Sequence, residues 1–224
     1  MGIGTRIEMG LAKYRMWRRQ HLPGPMGDFC RAGHNDLLFE DLPLETGDWV
    51  LDGGGYKGEW SARVMAEYGS KVLIVEAIPA FAESIANRFR HNKNAEVRCG
   101  ALSGKDGLIR LAICEDGSSV FKLAQSNQLV ETEAIDVRQL LMQGAERQEK
   151  PCALVKLNIE GGEYEVLDAL IQDNLVSTVR SFLIQFHRIL PDCEEHRQLI
   201  RRALSDTHDL IFDYAYVWER WDMK

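Results

Sequence analysis

The sequence predicts an α/β protein built on a mostly parallel sheet with helices on both faces, and three observations lead there. A short apolar run, Trp49 to Leu51, ends in Asp52 and passes through a glycine-rich turn, Gly53 to Gly58, into a helical pattern. Lys71-Val72-Leu73-Ile74-Val75-Glu76 is a β-branched run of the kind buried on both faces of a parallel sheet, and Ala153 to Ile159 reads the same way. Segments of helical periodicity separate these runs, as right-handed β-α-β crossovers require.

The elements follow in order. Apolar residues at Ile7, Met9, Leu11, Tyr14 and Trp17 suggest a helix over Thr5 to His21, which Pro23-Gly24-Pro25 breaks. Residues 26–46 are mixed, and residues 1–44 are read as a helical lead-in packing on a single domain over 45–224. Such a lead-in is either a lid over a ligand or a structural preface. The helix after the glycine turn runs from about Glu59 to Tyr68 and closes on Gly69. The next begins at Pro79, a favoured first-turn residue, and continues to about Arg90. Glu96 to Ala101 reads as a third strand. Strict alternation then lapses: turns at Ser103–Gly107 and Asp116–Ser119 flank an alternating strand over Leu108 to Ile113, and Leu129 to Ile135 is a further strand. A short helix over Val137 to Met142 precedes the fourth parallel strand, Ala153 to Ile159. The helix Glu163 to Ile171, the fifth parallel strand Val179 to His187, the helix Asp192 to Leu204 and edge strands in Leu210 to Val217 complete the chain. Seven strands are expected, with a β-rich insertion between strands three and four.

A chain of 224 residues, 45% hydrophobic, is long enough for one sizeable core. A formal net charge of -7 argues against general nucleic-acid binding, which needs a basic footprint. The basic cluster Lys13, Arg15, Arg18 and Arg19 reads as the solvated face of a helix. The five cysteines, Cys30, Cys99, Cys114, Cys152 and Cys193, are scattered without zinc or thioredoxin spacing. Reduced thiols, no metal and no disulfide framework are the expectation. His34 and Asp36 likewise lack metal-ligand spacing. With no signal-peptide apolar region at its start and no run long enough to span a bilayer, the expected setting is cytoplasmic.

Three features fall at the carboxyl ends of parallel strands, where open α/β sheets bind ligands. The first is the Asp52–Gly58 turn, whose strand, glycines and helix N-terminus form a cradle for a nucleotide-bearing cofactor. The second is Glu76, about 20 residues on, at the place of the acid that holds ribose hydroxyls. Its plainer reading is a solvent-facing strand-end acid; the upstream turn favours ribose. The third is Lys156-Leu157-Asn158-Ile159-Glu160-Gly161-Gly162-Glu163-Tyr164, where polar residues leave a buried strand at a cost that a site would explain. Lys156, alternating with apolar neighbours, is positioned to pair with an acid beneath the site. Trp49, Trp60 and Trp218 read as core, with Trp60 an alternative wall of the pocket.

These motifs resemble the FkbM family of S-adenosylmethionine-dependent methyltransferases. Members carry an apolar run into Asp-Val-Gly-Ala-Asn-x-Gly, a strand ending in Glu-Pro or Glu-x-x-Pro, and Ile-Lys-Ile-Asp-Val-Glu-Gly-Ala-Glu. The corresponding stretches here are Val50-Leu51-Asp52-Gly53-Gly54-Gly55-Tyr56-Lys57-Gly58, Val75-Glu76-Ala77-Ile78-Pro79 and Val155-Lys156-Leu157-Asn158-Ile159-Glu160-Gly161-Gly162-Glu163. A strand ending in histidine, here Gln185-Phe186-His187, and the β-rich insertion are also family traits. The resemblance covers about residues 45 to 190 and implies a Rossmann-like class I methyltransferase fold. Two positions depart from it: Tyr56 stands where the family has Asn or Gly, and Asn158 replaces an Asp. An amide orients by hydrogen bonding but takes no proton.

The resemblance implies S-adenosyl-L-methionine as cofactor, held by Asp52, Gly53, Gly54, Gly55, Tyr56, Gly58, Glu76 and Asn158. Gly54 and Gly58 would admit its methionine part, while Ala77, Ile78, Ala101 and Leu102 would border the adenine. It also implies methylation of a hydroxyl on a sugar, glycolipid or small natural product. The acceptor is thus a small molecule or glycan, and a homodimer stays open. An alcohol acceptor loses a proton, so His187 is the first candidate base, against a plain role satisfying backbone at a strand end. Glu160 is the substitute base or a helix cap, and Asn158 completes the catalytic set. Two other classes remain: an NAD-dependent oxidoreductase, since Gly53-x-Gly55-x-x-Gly58 with Glu76 also fits a dinucleotide fingerprint, and a non-catalytic cofactor-binding protein. No Tyr-x-x-x-Lys pair supports the former.

Overall fold

The computed structural model describes residues 21–33, 36–114, 117–119, 129–189 and 191–224. The helix expected over Thr5 to His21, with its basic cluster and Trp17, lies almost wholly outside the described residues, as do His34 and Asp116.

Seven strands form the main sheet in the order β10-β11-β9-β8-β1-β2-β3. Strands β1 (Trp49–Gly53), β2 (Lys71–Glu76), β3 (Ala95–Cys99), β8 (Leu154–Leu157) and β9 (Ser181–Ile184) run parallel. The hairpin of β10 (His208–Tyr214) and β11 (Trp218–Met223) adds an antiparallel edge to β9. The chain winds outward from β1 to β3, then returns to place β8 on the other side of β1. The strand order therefore reverses between β1 and β8, and a crevice opens at their carboxyl ends.

Alternation along each strand explains why both faces are covered. Trp49 and Leu51, Val155 and Leu157, Phe182 and Ile184 point to one face, where they pack with residues of α4 (Val137–Gln148), α5 (Glu163–Gln172) and α6 (Cys193–Ser205). Val50, Leu154 and Leu183 point to the other, against α2 (Glu59–Tyr68) and α3 (Pro79–Phe89). The lead-in joins this second cluster through Phe29 of α1 (Pro25–Arg31), Phe39 and Leu42. It is further tied by the Trp60 indole N–H, which donates to Leu38 O at 3.2 Å, and by Arg180, which donates to Pro43 O at 2.9 Å.

The insertion forms a second sheet, β4-β7-β5-β6, from β4 (Ala101–Ser103), β5 (Gly107–Cys114), β6 (Gly117–Ser119) and β7 (Leu129–Asp136). The single strand expected over Glu96 to Ala101 is therefore two. Gly100 divides them, with a side chain excluded there because its Cβ would lie 2.4 Å from Ile135 Cδ1. The helix expected to stop at Met142 continues to Gln148 and ends on Glu149 in the left-handed region, φ 55°. Its later turns are polar and carry no clear apolar stripe, so periodicity underestimates it. The edge strands expected in Leu210 to Val217 are the β10–β11 hairpin, which starts earlier, at His208, and runs on to Met223. Among the described residues no helix is long and apolar enough to cross a membrane.

Gly144 shows how tightly α4 lies on the sheet: a Cβ there would come within 2.4 Å of Trp49 Cη2. Trp49 cannot withdraw, since it is buried and its indole N–H donates to Lys150 O at 2.8 Å. Gly144→Ala gains about 1 kcal/mol of helix propensity but overpacks the core at about 1–3 kcal/mol. The net expectation is a lower unfolding free energy in urea titration, with an unchanged or raised midpoint counting against this packing.

Candidate active site

The crevice between β1 and β8 is built on a buried ion pair. Asp52, at the end of β1, is fully buried, and its Oδ1 accepts from Lys156 Nζ at 2.8 Å. Its Oδ2 accepts from the Ser61 hydroxyl on the first turn of α2. Lys156 also donates to Gly54 O at 2.8 Å, so one ammonium holds both the strand and the turn that follows. Asp52 is expected among the cofactor's direct ligands; both its oxygens instead face inward, and it supports the turn from beneath. Lys156 pairs with an acid under the site, as its alternation suggests.

The glycines of the turn answer first to the protein. At Gly54, φ 82°, a Cβ would lie 2.0 Å from Asn158 O, so β1 and β8 approach closely only without a side chain there. Gly55 would collide with Ile74 and Gly58 with Phe89. Asn158 N–H donates to Gly53 O at 3.0 Å and fastens the two strand ends together.

Glu76 closes the far side. Its Oε2 accepts from Tyr56 N at 2.8 Å and its Oε1 from Ile78 N at 2.9 Å, leaving each oxygen with a further lone pair. Burial raises its pKa above the ordinary carboxylate range, and Asp52 adds to the effect, while the two backbone donors oppose it. Ile78 and Ala101 are buried in one small apolar cluster with Ala77 and Phe81 packed against it, and Leu102 is buried beside Gly53. Tyr56 has φ 50°, in the region that glycine and asparagine tolerate best, and the residue is 54% exposed. That ring meets Phe81 edge-on, centroids 5.0 Å apart, with Lys57 Nζ 5.1 Å above it.

These groups fit a nucleoside cofactor. Glu76 offers two open lone pairs for vicinal ribose hydroxyls, Ile78 and Ala101 an apolar surface for a base, and the Asn158 amide makes no hydrogen bond among the described residues.

A second centre lies at the ends of β8 and β9. Glu163, fully buried on the first turn of α5, accepts at Oε1 from His187 N at 2.7 Å and meets His187 Nδ1 at 3.1 Å. Its Oε2 accepts from Gly161 N at 2.9 Å. The carboxylate fixes the proton on Nδ1 and turns Nε2 toward Glu160, whose Oε1 is 3.5 Å away. Glu160 has φ 50°, and Gly161 follows at φ 109°. Burial alone would lower the His187 pKa, but hydrogen bonds to Glu160 and Glu163 outweigh it and bring it up to about 9. The imidazole is therefore protonated at neutral pH. Glu163 is the residue that sequence reasoning misses: it reads as a first-turn acid of α5, and only folding brings in His187, 24 residues on. Among the described residues there is no group of three or more metal-ligating side chains arranged to hold an ion.

The sequence profile described as the Methyltransferase FkbM domain matches residues 52–206. Comparison with curated proteins gives no match. Among solved structures, the chain is similar to a putative rRNA-methylase from Clostridium thermocellum at 8% identity and TM-score 0.51, covering 90% of this chain and 97% of that one. It is also similar to Aeropyrum pernix fibrillarin bound to S-adenosyl-L-methionine, at 11% identity and TM-score 0.45, covering 83% and 70%. An RNA methyltransferase from Salinibacter ruber in complex with S-adenosyl-L-homocysteine gives 13% identity and TM-score 0.42, covering 84% and 88%. At 8% identity the first likeness is one of fold alone, and the other two are looser.

The His187 cluster sets a pH dependence. Because its pKa rises from 6.5 to about 9 on folding, the stability it contributes is fully present below about 6.5 and lost as pH rises through about 9. NMR should show the His187 ring titrating near 9, and Glu163→Gln should move that titration downward. An unshifted titration in the variant would show that Glu163 does not hold the proton.

Proposed function

The chain belongs to the FkbM methyltransferase family, whose members use S-adenosylmethionine, and on that premise we propose that it methylates a hydroxyl group of a sugar, glycolipid or small natural product. Family membership decides the glycine turn in favour of this cofactor over NAD. The observation that carries the hydroxyl reading is the Glu163–His187 pair at the sheet's carboxyl edge. An alcohol must surrender a proton as it is methylated, and a carboxylate-held imidazole is built to take one.

The chain's own residues divide the work. Glu76 would hold the ribose, Ile78 and Ala101 would flank the adenine, and Asn158 would orient the amino-acid end or the acceptor. When bound, the cofactor supplies a sulfonium methyl that is already activated, so the protein's task is alignment and proton removal. The acceptor hydroxyl would displace Glu160 from His187 Nε2. That exchange removes one of the two carboxylates that keep His187 protonated, so Nε2 releases its proton to solvent and can then accept the proton of the hydroxyl. Glu163 stays, orienting the ring and stabilising the imidazolium that forms. Replacement of the family's Asp by Asn158 leaves no competing base at that position.

Titration calorimetry tests the cofactor half. S-adenosylmethionine and its demethylated product should bind, NAD should not, and Glu76→Ala should weaken both sulfur ligands by about tenfold or more. Unchanged affinity in the variant would remove the ribose role.

Transfer of labelled methyl to a panel of hydroxyl compounds tests the catalytic half. His187→Ala should lose at least about 100-fold in turnover while retaining cofactor affinity. The wild-type rate should climb as pH approaches 9, because the base must first be deprotonated. A rate flat from pH 6 to 8 would assign proton removal to Glu160 instead.

A further inference from the structure

A cavity of about 510 Å³ lies over the outer face of α5, between the second sheet and α6. Gly161 and Gly162, which follow Glu160, are among its lining residues, as is Tyr164, whose hydroxyl donates to His187 O at 3.0 Å. Leu102 reaches it from the other side and also packs under Gly53 of the cofactor turn. The cavity thus shares Leu102, Gly161 and Tyr164 with the surroundings of the glycine turn and of the Glu163–His187 pair. Its shape is enforced: at Gly104 a Cβ would lie 2.8 Å from Glu165 O, so the turn after β4 sits directly on α5.

The cations facing this space already lie against carboxylates. His196 Nε2 lies 2.8 Å from Asp168 Oδ2, Lys105 Nζ lies 4.0 Å from Glu165 Oε1, and Arg138 is engaged by Asp136 and Asp173. The Lys105 ammonium and the Arg138 guanidinium each lie against a carboxylate, so an anionic ligand finds no free cation among these lining residues. Hydrogen-bonding capacity remains abundant. Ser103 is 4% exposed, yet its hydroxyl makes no hydrogen bond among the described residues and it lines the cavity. The Gln172 amide is likewise uncommitted among the described residues, and the Glu165 and Asp168 carboxylates retain lone pairs. Glu165, Asp168 and Gln172 recur at helical spacing on one stripe of α5, so they face a ligand together.

From this we infer that the cavity is the binding site for the non-reacting part of the acceptor, and that this part is a polyhydroxylated ring system without anionic groups, such as a neutral sugar. The volume lies within the roughly 300–1,000 Å³ of small-ligand pockets. Carboxylates and amides accept and donate to vicinal hydroxyls in pairs. Glu165 and Asp168 oppose a carboxylate or phosphate, and the single exposed ammonium of Lys105 is already matched. The inference rests on the hydroxyl-methylation reading above and places the rest of the acceptor along α5.

Ligand-observed saturation-transfer NMR on protein saturated with S-adenosylhomocysteine tests this, using neutral methyl hexosides against glucuronate and glucose 6-phosphate. Neutral sugars should receive saturation and the charged ones should not. Ser103→Ala and Asp168→Ala should each weaken the neutral sugars by about tenfold or more. Neither substitution should change affinity for S-adenosylhomocysteine by calorimetry, which also reports whether the variants fold. Preference for the charged sugars, no sugar binding, or equal binding by the variants would overturn the assignment while leaving the cofactor site standing. Failure of wild-type protein to bind S-adenosylhomocysteine would instead overturn the methyltransferase reading and this inference with it.

Discussion

The contact between Lys156 and Asp52 is the one on which both halves of the site depend. It lies where the strand order reverses, between the two strands that bound the crevice. Two charges removed from water are costly unless every lone pair and proton is satisfied. Here Ser61 takes the second carboxylate oxygen and Gly54 O takes a further ammonium proton. The pair's hydrogen-bonding needs are thus met from both strands, the glycine turn and α2. The pair fixes the height of β8 against β1, and with it the distance from the glycine turn to Asn158 and Glu160.

At the ends of these two strands stand Tyr56 and Glu160, both non-glycine residues with φ 50°. Such conformations cost on the order of 1–3 kcal/mol each and persist only where surroundings enforce them. For Tyr56 the enforcement is its N–H bond to Glu76; for Glu160 it is the turn through Gly161, held by Glu163. In each case a buried carboxylate grips backbone and leaves an unusual side chain facing the crevice. Asparagine, the family's residue at the first position, tolerates this conformation better than tyrosine does. The ring at position 56 is thus maintained against a local preference.

What could be read from the sequence follows from what is local. The strand, turn and helix from Trp49 to Tyr68 are encoded by adjacent residues, and the expected helix bounds match those found. The strand Lys71–Glu76 is equally legible, because a parallel strand buried on both faces needs an unbroken apolar run. The direction in which a polar side chain points is not local. Asp52 reads as a ligand because it ends a strand, yet its orientation depends on Lys156, 104 residues away. Glu163 reads as a first-turn acid of α5 until β9 brings His187 against it. Gly100 lies unnoticed within an apparent strand because its reason, the Ile135 side chain, belongs to a different sheet. The cavity over α5 has no signature at all, since its walls come from β4, β5 and three helices that only the fold brings together.

The two buried carboxylates also separate the site's functions. Glu76 is reached through β2 and bonds to Tyr56 and Ile78, while Glu163 is reached through α5 and bonds to Gly161 and His187; they share no hydrogen-bond partner. Substitutions in the two sets should therefore act independently, one on cofactor affinity and the other on proton transfer. The link between them is the backbone of β1 and β8, held by Asp52 and Lys156 beneath. A change to that pair should move cofactor affinity and proton transfer together. A double-mutant cycle combining Glu76→Ala with His187→Ala should be additive in transition-state free energy to within about 0.5 kcal/mol. Either single change combined with Lys156→Ala should depart from additivity, because removing the ammonium shifts the platform on which both carboxylates act.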